Sequence, residues 1–228
     1  MDTAAGRNRR EWIALGMAAI LRERLGAVVQ PSRKFEPASE ISRDPSLNRY
    51  VEYLSQAVAK KDESALLAEM APTFRVEFDG GKGPAAFRRH WKLQSPDSGL
   101  WKVLGRLLTM GGTFYSQTLF AIPYVYTRFP IDLDPFEYVA GVKESIPVRS
   151  EASSDSPVID KASWELIRVN PKLKPPVRLD LVPWVKVVTA AGAAGFVSSD
   201  DVYSPAAHRV FFERRKGKWR WISLVCAD

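Results

Sequence analysis

The chain is poor in the residues that carry most protein chemistry: its 228 residues include one cysteine and two histidines. The single cysteine, Cys226, rules out an intramolecular disulfide and any multi-cysteine zinc site, and with them a disulfide-stapled scaffold. The histidines, His90 and His208, stand in no spacing with cysteine or carboxylates that suits a metal ion. Neither a metal nor another cofactor is expected. Long apolar runs are also missing. The stretch Trp12 to Leu21 holds ten residues, whereas a membrane-crossing helix needs about 20, so no transmembrane segment is expected. The chain shows no internal repeat and no low-complexity tract.

Charge and apolar content are plentiful. Hydrophobic residues make up 46% of the chain and aromatics 11%, enough for packed cores in one large or two small domains. Lysine and arginine number 33 against 26 acidic residues, a net charge of +7. That excess suits nucleic acid, a membrane surface or an anionic polymer. The two signs are interleaved, however, so a mixed solvated surface is the simpler reading and nucleic acid is not the expected partner. Arg7, Arg9 and Arg10 precede the apolar stretch Trp12 to Leu21, as in a signal peptide. Arg22-Glu23-Arg24 follows at once, without a clear small-x-small cleavage site. Two readings stay open: an export signal, placing the protein in the periplasm or cell envelope, or an amphipathic N-terminal helix on a cytoplasmic protein.

Residues 31–45 hold three prolines and read as a linker. Asp44-Pro45 is a helix start, and Leu47, Tyr50, Val51, Leu54, Ala57 and Val58 recur with helical period. Lys60-Lys61 ends that helix. Asp62 caps a second short one, which Pro72 follows. Phe74 to Asp79 alternates as a strand, with Glu77 and Asp79 on the face opposite Phe74, Val76 and Phe78. After a glycine turn, Pro84 opens a short helix carrying Phe87 and Trp91. Asp97 or Ser98 is the expected cap of a further helix with Leu100, Trp101, Leu104, Leu107 and Leu108 as its buried stripe, stopped by Gly111-Gly112. Phe114 to Phe129 is strand-like with a break at Pro123. Short alternating segments follow at Ile146 to Arg149, Trp184 to Val187 and Gly195 to Val197. Between them, Asn170 to Pro183 carries four prolines and reads as an exposed loop. Lys216-Gly217 between Val210 to Arg214 and Trp219 to Val225 marks a hairpin.

The stretch Val142 to Tyr203 resembles a bacterial SH3-like (SH3b) domain. Val148-Arg149-Ser150-Glu151-Ala152-Ser153 is similar to the family's opening "NVRxxPS". Trp184-Val185-Lys186-Val187 is similar to its "WykV", Gly192 through Gly195-Phe196-Val197 to its "GWV" segment, and Asp201-Val202-Tyr203 to its close. Ala152 stands where proline is usual, Pro147 where Asn is usual, and Trp164 where Gly is common. The region before it, together with the hairpin Phe211 to Trp221, resembles an NTF2-like fold. These resemblances imply an α+β protein: a helix-rich NTF2-like region with a few strands, plus a small SH3-like β-barrel. The implied boundaries are 1–43 for the N-terminal segment and linker, 44–137 for the NTF2-like region, 138–204 for the barrel, and 205–228 for a closing hairpin packed on 44–137.

SH3b domains bind peptides or wall polymers and rarely do chemistry, so the resemblance implies a non-catalytic envelope protein that binds a peptide or cell-wall component. Its aromatic groove would draw on Trp164, Trp184, Phe196 and Tyr203, although Trp184 and Phe196 also suit a barrel core. An alternative is a small-molecule binder or enzyme that uses an NTF2-like cavity near Glu77, Asp79 and His90, with His90 as a general base. The opposing reading is a wet strand face. A Cys226–His208 dyad lacks the helix N-terminus that activates a thiol, and no catalytic residue is assigned. The turn Asp79 to Gly83 lacks the P-loop spacing. Arg214, Lys216, Lys218 and Arg220 on the aromatic hairpin form a second alternative, a site for nucleic acid or another anionic polymer. The same residues also suit an ordinary guarded sheet edge.

Overall fold

A computed structural model describes residues 32–76, 81–169 and 181–226. The N-terminal apolar stretch, Glu77, Asp79 and most of the proline-rich loop lie outside the described residues. The architecture is mixed α+β, with two sheets and five α-helices among the described residues.

After the two-residue strand β1 (Arg33–Lys34) the chain enters α1 (Pro45–Ala59). Asp44 caps this helix as expected. Its carboxylate accepts from the backbone N–H groups of Ser46 at 2.8 Å and Leu47 at 3.2 Å, donors that the first helical turn cannot satisfy itself. Leu47, Val51, Leu54, Ala57 and Val58 form its buried face. Lys60 and Lys61 end it, Lys61 in the left-handed region at φ 52°. Asp62 then caps α2 (Glu63–Ala68) through Ala65 N–H at 3.0 Å.

β2 (Met70–Val76) begins four residues before the expected strand and contains Pro72. Proline is tolerated because β2 is the edge of its sheet and Pro72 faces outward, where no ladder donor is required. α3 (Gly83–His90) and α4 (Leu100–Thr109) follow. α4 is not capped by Asp97 or Ser98: its N-cap is Gly99, and the Ser98 hydroxyl instead donates to Trp91 C=O at 2.7 Å. Leu100, Leu104, Leu107 and Leu108 are buried as expected, whereas Trp101 is only half-buried. The strand-like stretch 114–129 divides into β3 (Thr113–Ser116), β4 (Leu119–Ile122) and the single turn α5 (Tyr124–Thr127), with Pro123 at the junction.

The chain then makes β5 (Tyr138–Gly141), β6 (Ile146–Arg149), β7 (Val158–Ala162), β8 (Glu165–Val169), β9 (Trp184–Val188), β10 (Ala194–Ser198) and, after a 3-10 turn at Ser199–Asp201, β11 (Val202–Tyr203). It ends in the hairpin β12 (Arg209–Arg215) and β13 (Lys218–Val225). Lys216 at φ 49° and Gly217 at φ 76° place both central turn residues in the left-handed region, the geometry that matches strand twist in a two-residue hairpin.

The five-stranded sheet has the order β2-β13-β12-β4-β3, with β13 parallel to β2 and the other pairs antiparallel. The final hairpin therefore completes the sheet started by β2. The region expected to be helix-rich is built around this sheet. The eight-stranded sheet has the order β11-β5-β8-β9-β10-β6-β7, with β1 added beside β8. All its pairs are antiparallel. The short strands fall where sequence alternation put them, but the ladder is open and ends at β11 and β7, so the expected closed barrel is not formed. Val139, Ile146, Val148, Ile167, Val169, Val185, Val187, Val197 and Val202 point to its interior. Ala140, Leu166 and Tyr203 turn the other way, into the large cluster that also holds α1, α3, α4 and the five-stranded sheet. The eight-stranded sheet thus keeps an apolar cluster of its own and also contributes to the core built on the five-stranded sheet.

Candidate functional site

A cleft of about 470 Å³ lies where α4 meets the ends of β9, β10 and β11. Strand period builds its far wall. Val185 and Val187 are buried, so Trp184 and Lys186 face outward, and Trp184 is paired across the ladder with Ser198. The 3-10 turn after Ser198 then brings Asp200 and Tyr203 to the same cleft. The near wall is α4, which presents Lys102 and Arg106.

Arg106 fastens these walls together. Its guanidinium donates to the main-chain carbonyls of Val202 at 2.7 Å and Ser199 at 3.0 Å and lies 5.2 Å from the centre of the Tyr203 ring. Such charge-assisted bonds, with a cation over an aromatic face, hold the turn in a fixed position. Tyr203 is buried and donates its hydroxyl to His208 C=O at 2.7 Å. The floor is therefore preset, while the half-buried Trp184 and the exposed Leu181 are large apolar surfaces left to meet a ligand.

Of the four groove residues expected from sequence, the structure brings Trp184 and Tyr203 together and leaves Trp164 and Phe196 elsewhere. Trp164 sits in the turn between β7 and β8 at φ 42°, the left-handed backbone for which glycine is the usual residue. Its carbonyl accepts from Phe35 N–H at 2.6 Å and its N–H donates to Lys143 C=O at 3.1 Å. Phe196 is on the outward face of β10, half-buried, with the Lys186 ammonium 5.6 Å from its ring centre. Trp184 and Phe196 are accordingly not core residues. Lys102, Arg106 and Asp200 were not singled out by the sequence, and His208 was weighed only as a partner for Cys226. For Lys102 and Arg106 the available signal was the polar side of an amphipathic helix, which reads the same whether water or another strand lies beyond it.

A second cleft of about 410 Å³ is lined by His90, Trp91, Lys92, Ser95, Asp97 and His208. The His90 ring is 5.6 Å from Trp91, and Trp91 is 5.4 Å from the ring of His208. His90 is exposed at the end of α3, and its expected companions Glu77 and Asp79 lie outside the described residues. Between α3 and the five-stranded sheet the space is filled by rings: Phe74, Phe87 and Trp221 are essentially fully buried, with centroids 5.0 to 5.3 Å apart.

On the terminal hairpin, Arg214 is paired with Asp44 at 2.9 Å and Arg220 with Glu69 at 2.6 Å. Lys216 and Lys218 are exposed. Phe212, Trp219 and Trp221 are buried in the core and offer no face for stacking a base. Burial, then the Glu69 charge, holds the nearby Tyr50 phenol above its ordinary range, so it stays a neutral donor. Cys226 is buried just beyond β13. Among the described residues no group of three or more His, Cys, Asp or Glu could hold a metal ion, and no helix is long and apolar enough to cross a membrane.

No family model matches this chain, and neither a curated protein nor a solved structure matches it. The functional reading therefore rests on the site itself.

Proposed function

We propose that the protein is a non-catalytic, envelope-associated binding module of the bacterial SH3-like kind, which holds an extended peptide or cell-wall component in the cleft between α4 and the ends of β9 to β11. The observation that carries this reading is the indole of Trp184, half-buried at the wall of a preset cleft beside Tyr203. Strand order supports it. The hairpin β6–β7 follows the first strand β5, a meander β8–β9–β10 comes next, and a 3-10 turn leads to β11, which returns to pair with β5. The cleft is lined by an indole, an ammonium, a guanidinium, a carboxylate, hydroxyls and His208, and the reading takes them as binding groups. The flanking unit, in this reading, is an NTF2-like support whose interior is closed by Phe74, Phe87 and Trp221.

The test is titration of the protein with soluble wall-peptide fragments, followed by tryptophan fluorescence and calorimetry. A central aromatic anchor of this type is worth about 2 kcal/mol or more, so Trp184→Ala should weaken binding by about 30-fold. Unchanged affinity in that variant, or no binding by the unmodified protein, rejects the proposal.

A further inference from the structure

The second cleft, with Trp91 at its centre, has no role in the reading above. Three observations join it to the first. His208 lies in the wall of both clefts. The Tyr203 hydroxyl bonds to the His208 carbonyl, and the His208 ring meets Trp91 at 5.4 Å, so an aromatic line runs from one cleft to the other. One face of α4 borders both: Gly99 lines the second cleft, while Lys102, Val103 and Arg106 line the first. Those positions recur at i, i+3, i+4 and i+7, a single helical stripe, and the rise from Gly99 to Arg106 is about 10 Å.

Both clefts carry both signs of charge, and the first holds one further cation, Arg106, whose guanidinium is bound to neutral main-chain carbonyls. The first presents Lys102 and Asp200, the second Lys92 and Asp97. None of these four side chains has an ion-pair or hydrogen-bond partner among the described residues. Each cleft thus offers one ammonium and one carboxylate beside an exposed or half-buried aromatic ring. A polyanion would meet a repelling carboxylate in both. A chain that alternates acidic, apolar and basic groups finds an opposite charge in both.

We propose that the two clefts form one bipartite groove along α4 for an extended zwitterionic peptide, with Trp184 and Trp91 as its two stacking stations. This rests on the proposed binding function and adds the ligand's chemistry and minimum length. An extended peptide advances about 3.3 Å per residue, so three residues do no more than span the α4 wall, and a longer chain is needed to fill the cleft at each end of it. Engaging both stations converts the second contact into an intramolecular one, which raises affinity without any new chemistry.

The probes are the synthetic peptides Glu-Pro-Lys and (Glu-Pro-Lys)3, titrated by calorimetry at low and moderate salt. The nonapeptide should bind at least about 10-fold more tightly than the tripeptide. Trp91→Ala should remove that gain and leave tripeptide binding unchanged, whereas Trp184→Ala should weaken both peptides. Because Trp91 also packs on Phe87 at 6.3 Å, the exposed Lys92→Gln, which leaves the core untouched, should lower nonapeptide affinity several-fold in a folded protein. If Trp91→Ala and Lys92→Gln leave the nonapeptide affinity intact while Trp184→Ala reduces it, the bipartite groove is refuted and single-cleft binding survives. Competition by single-stranded DNA as effective as that by the nonapeptide refutes the zwitterionic ligand. Failure of both peptides and of wall fragments to bind removes the binding function itself.

Discussion

Replacing Arg106 tests how the cleft is held. Arg106 is the only side chain described above that bonds α4 to β11 and the turn before it, through the carbonyls of Val202 at 2.7 Å and Ser199 at 3.0 Å. A hydrogen bond from a charged donor contributes about 1.5 to 3 kcal/mol, and removing the donor leaves part-buried carbonyls unsatisfied. Partial solvent access puts each bond near the low end of that range, so Arg106→Ala should cost about 3 kcal/mol, including a fraction of a kcal/mol from the lost contact with the Tyr203 ring. With a urea slope of about 2 to 3 kcal/mol/M for a chain of this size, the midpoint should fall by about 1 M. Lysine keeps the charge but not the planar fork, and Arg106→Lys should recover less than half of the loss. Fluorescence from the seven tryptophans and far-ultraviolet circular dichroism should report one coincident transition, because Leu166 and Tyr203 are buried in the same cluster as α4. A midpoint shift below about 0.3 M, or full rescue by lysine, would show that the guanidinium bonds do not hold this wall.

Two further substitutions probe the frame. A methyl group at Gly112 would overlap the Ala121 carbonyl oxygen and lie 2.9 Å from Ile122 Cγ1, so Gly112→Ala should push β4 away and cost about 3 kcal/mol or more. Gly99→Ala, with open space around it, should be neutral or slightly stabilising; equal effects at the two glycines would refute the close-approach argument. Asp44 is held below its ordinary value of 3.8 by the Ser46 hydroxyl, which together with the Leu47 and Ser46 N–H groups and Arg214 outweighs the effect of burial. Its pKa is lower in the folded than in the unfolded chain, so its ionic contribution is complete above the unfolded value and is lost as pH falls through the folded one. Asp44→Ala should cost about 1 to 2 kcal/mol at pH 7, and the difference from wild type in urea midpoint should shrink by pH 2.5; a pH-independent difference would exclude the charged cap.

Features set by neighbouring residues were legible from sequence. Asp44 and Asp62 cap helices because their carboxylates reach N–H groups two or three residues on, and Lys216-Gly217 turns because both can take positive φ. The alternation of Val185 and Val187 with Trp184 and Lys186 fixed which face is buried. Features that depend on distant partners were not legible. The early start of β2 depends on β13 lying beside it, and the loss of Ser98 as a cap depends on the Trp91 carbonyl being nearer. Whether the eight strands close depends on how β11 and β7 end, which no local pattern records. The cleft joins α4 to β9, the 3-10 turn and His208, which lie about 75 residues or more further along the chain. An arginine on a helix's polar face gives no sign that the far strand's carbonyls will be its solvent.

The pairing of β11 with β5 sets Tyr203 opposite Ala140 and Val202 opposite Gly141. The chain thus leaves the eight-stranded sheet about one strand spacing, some 4.8 Å, from where it entered. Seen from the five-stranded sheet, everything between those residues is a single excursion from one doorway. A short bridge across that doorway could replace the whole excursion while keeping the pairing of β4 with β12, but β1, Arg106 and the core packing of Leu166 would each lose a partner. The excursion is thus joined to the rest by one pair of closely spaced strands and by the contacts of α4 and β1.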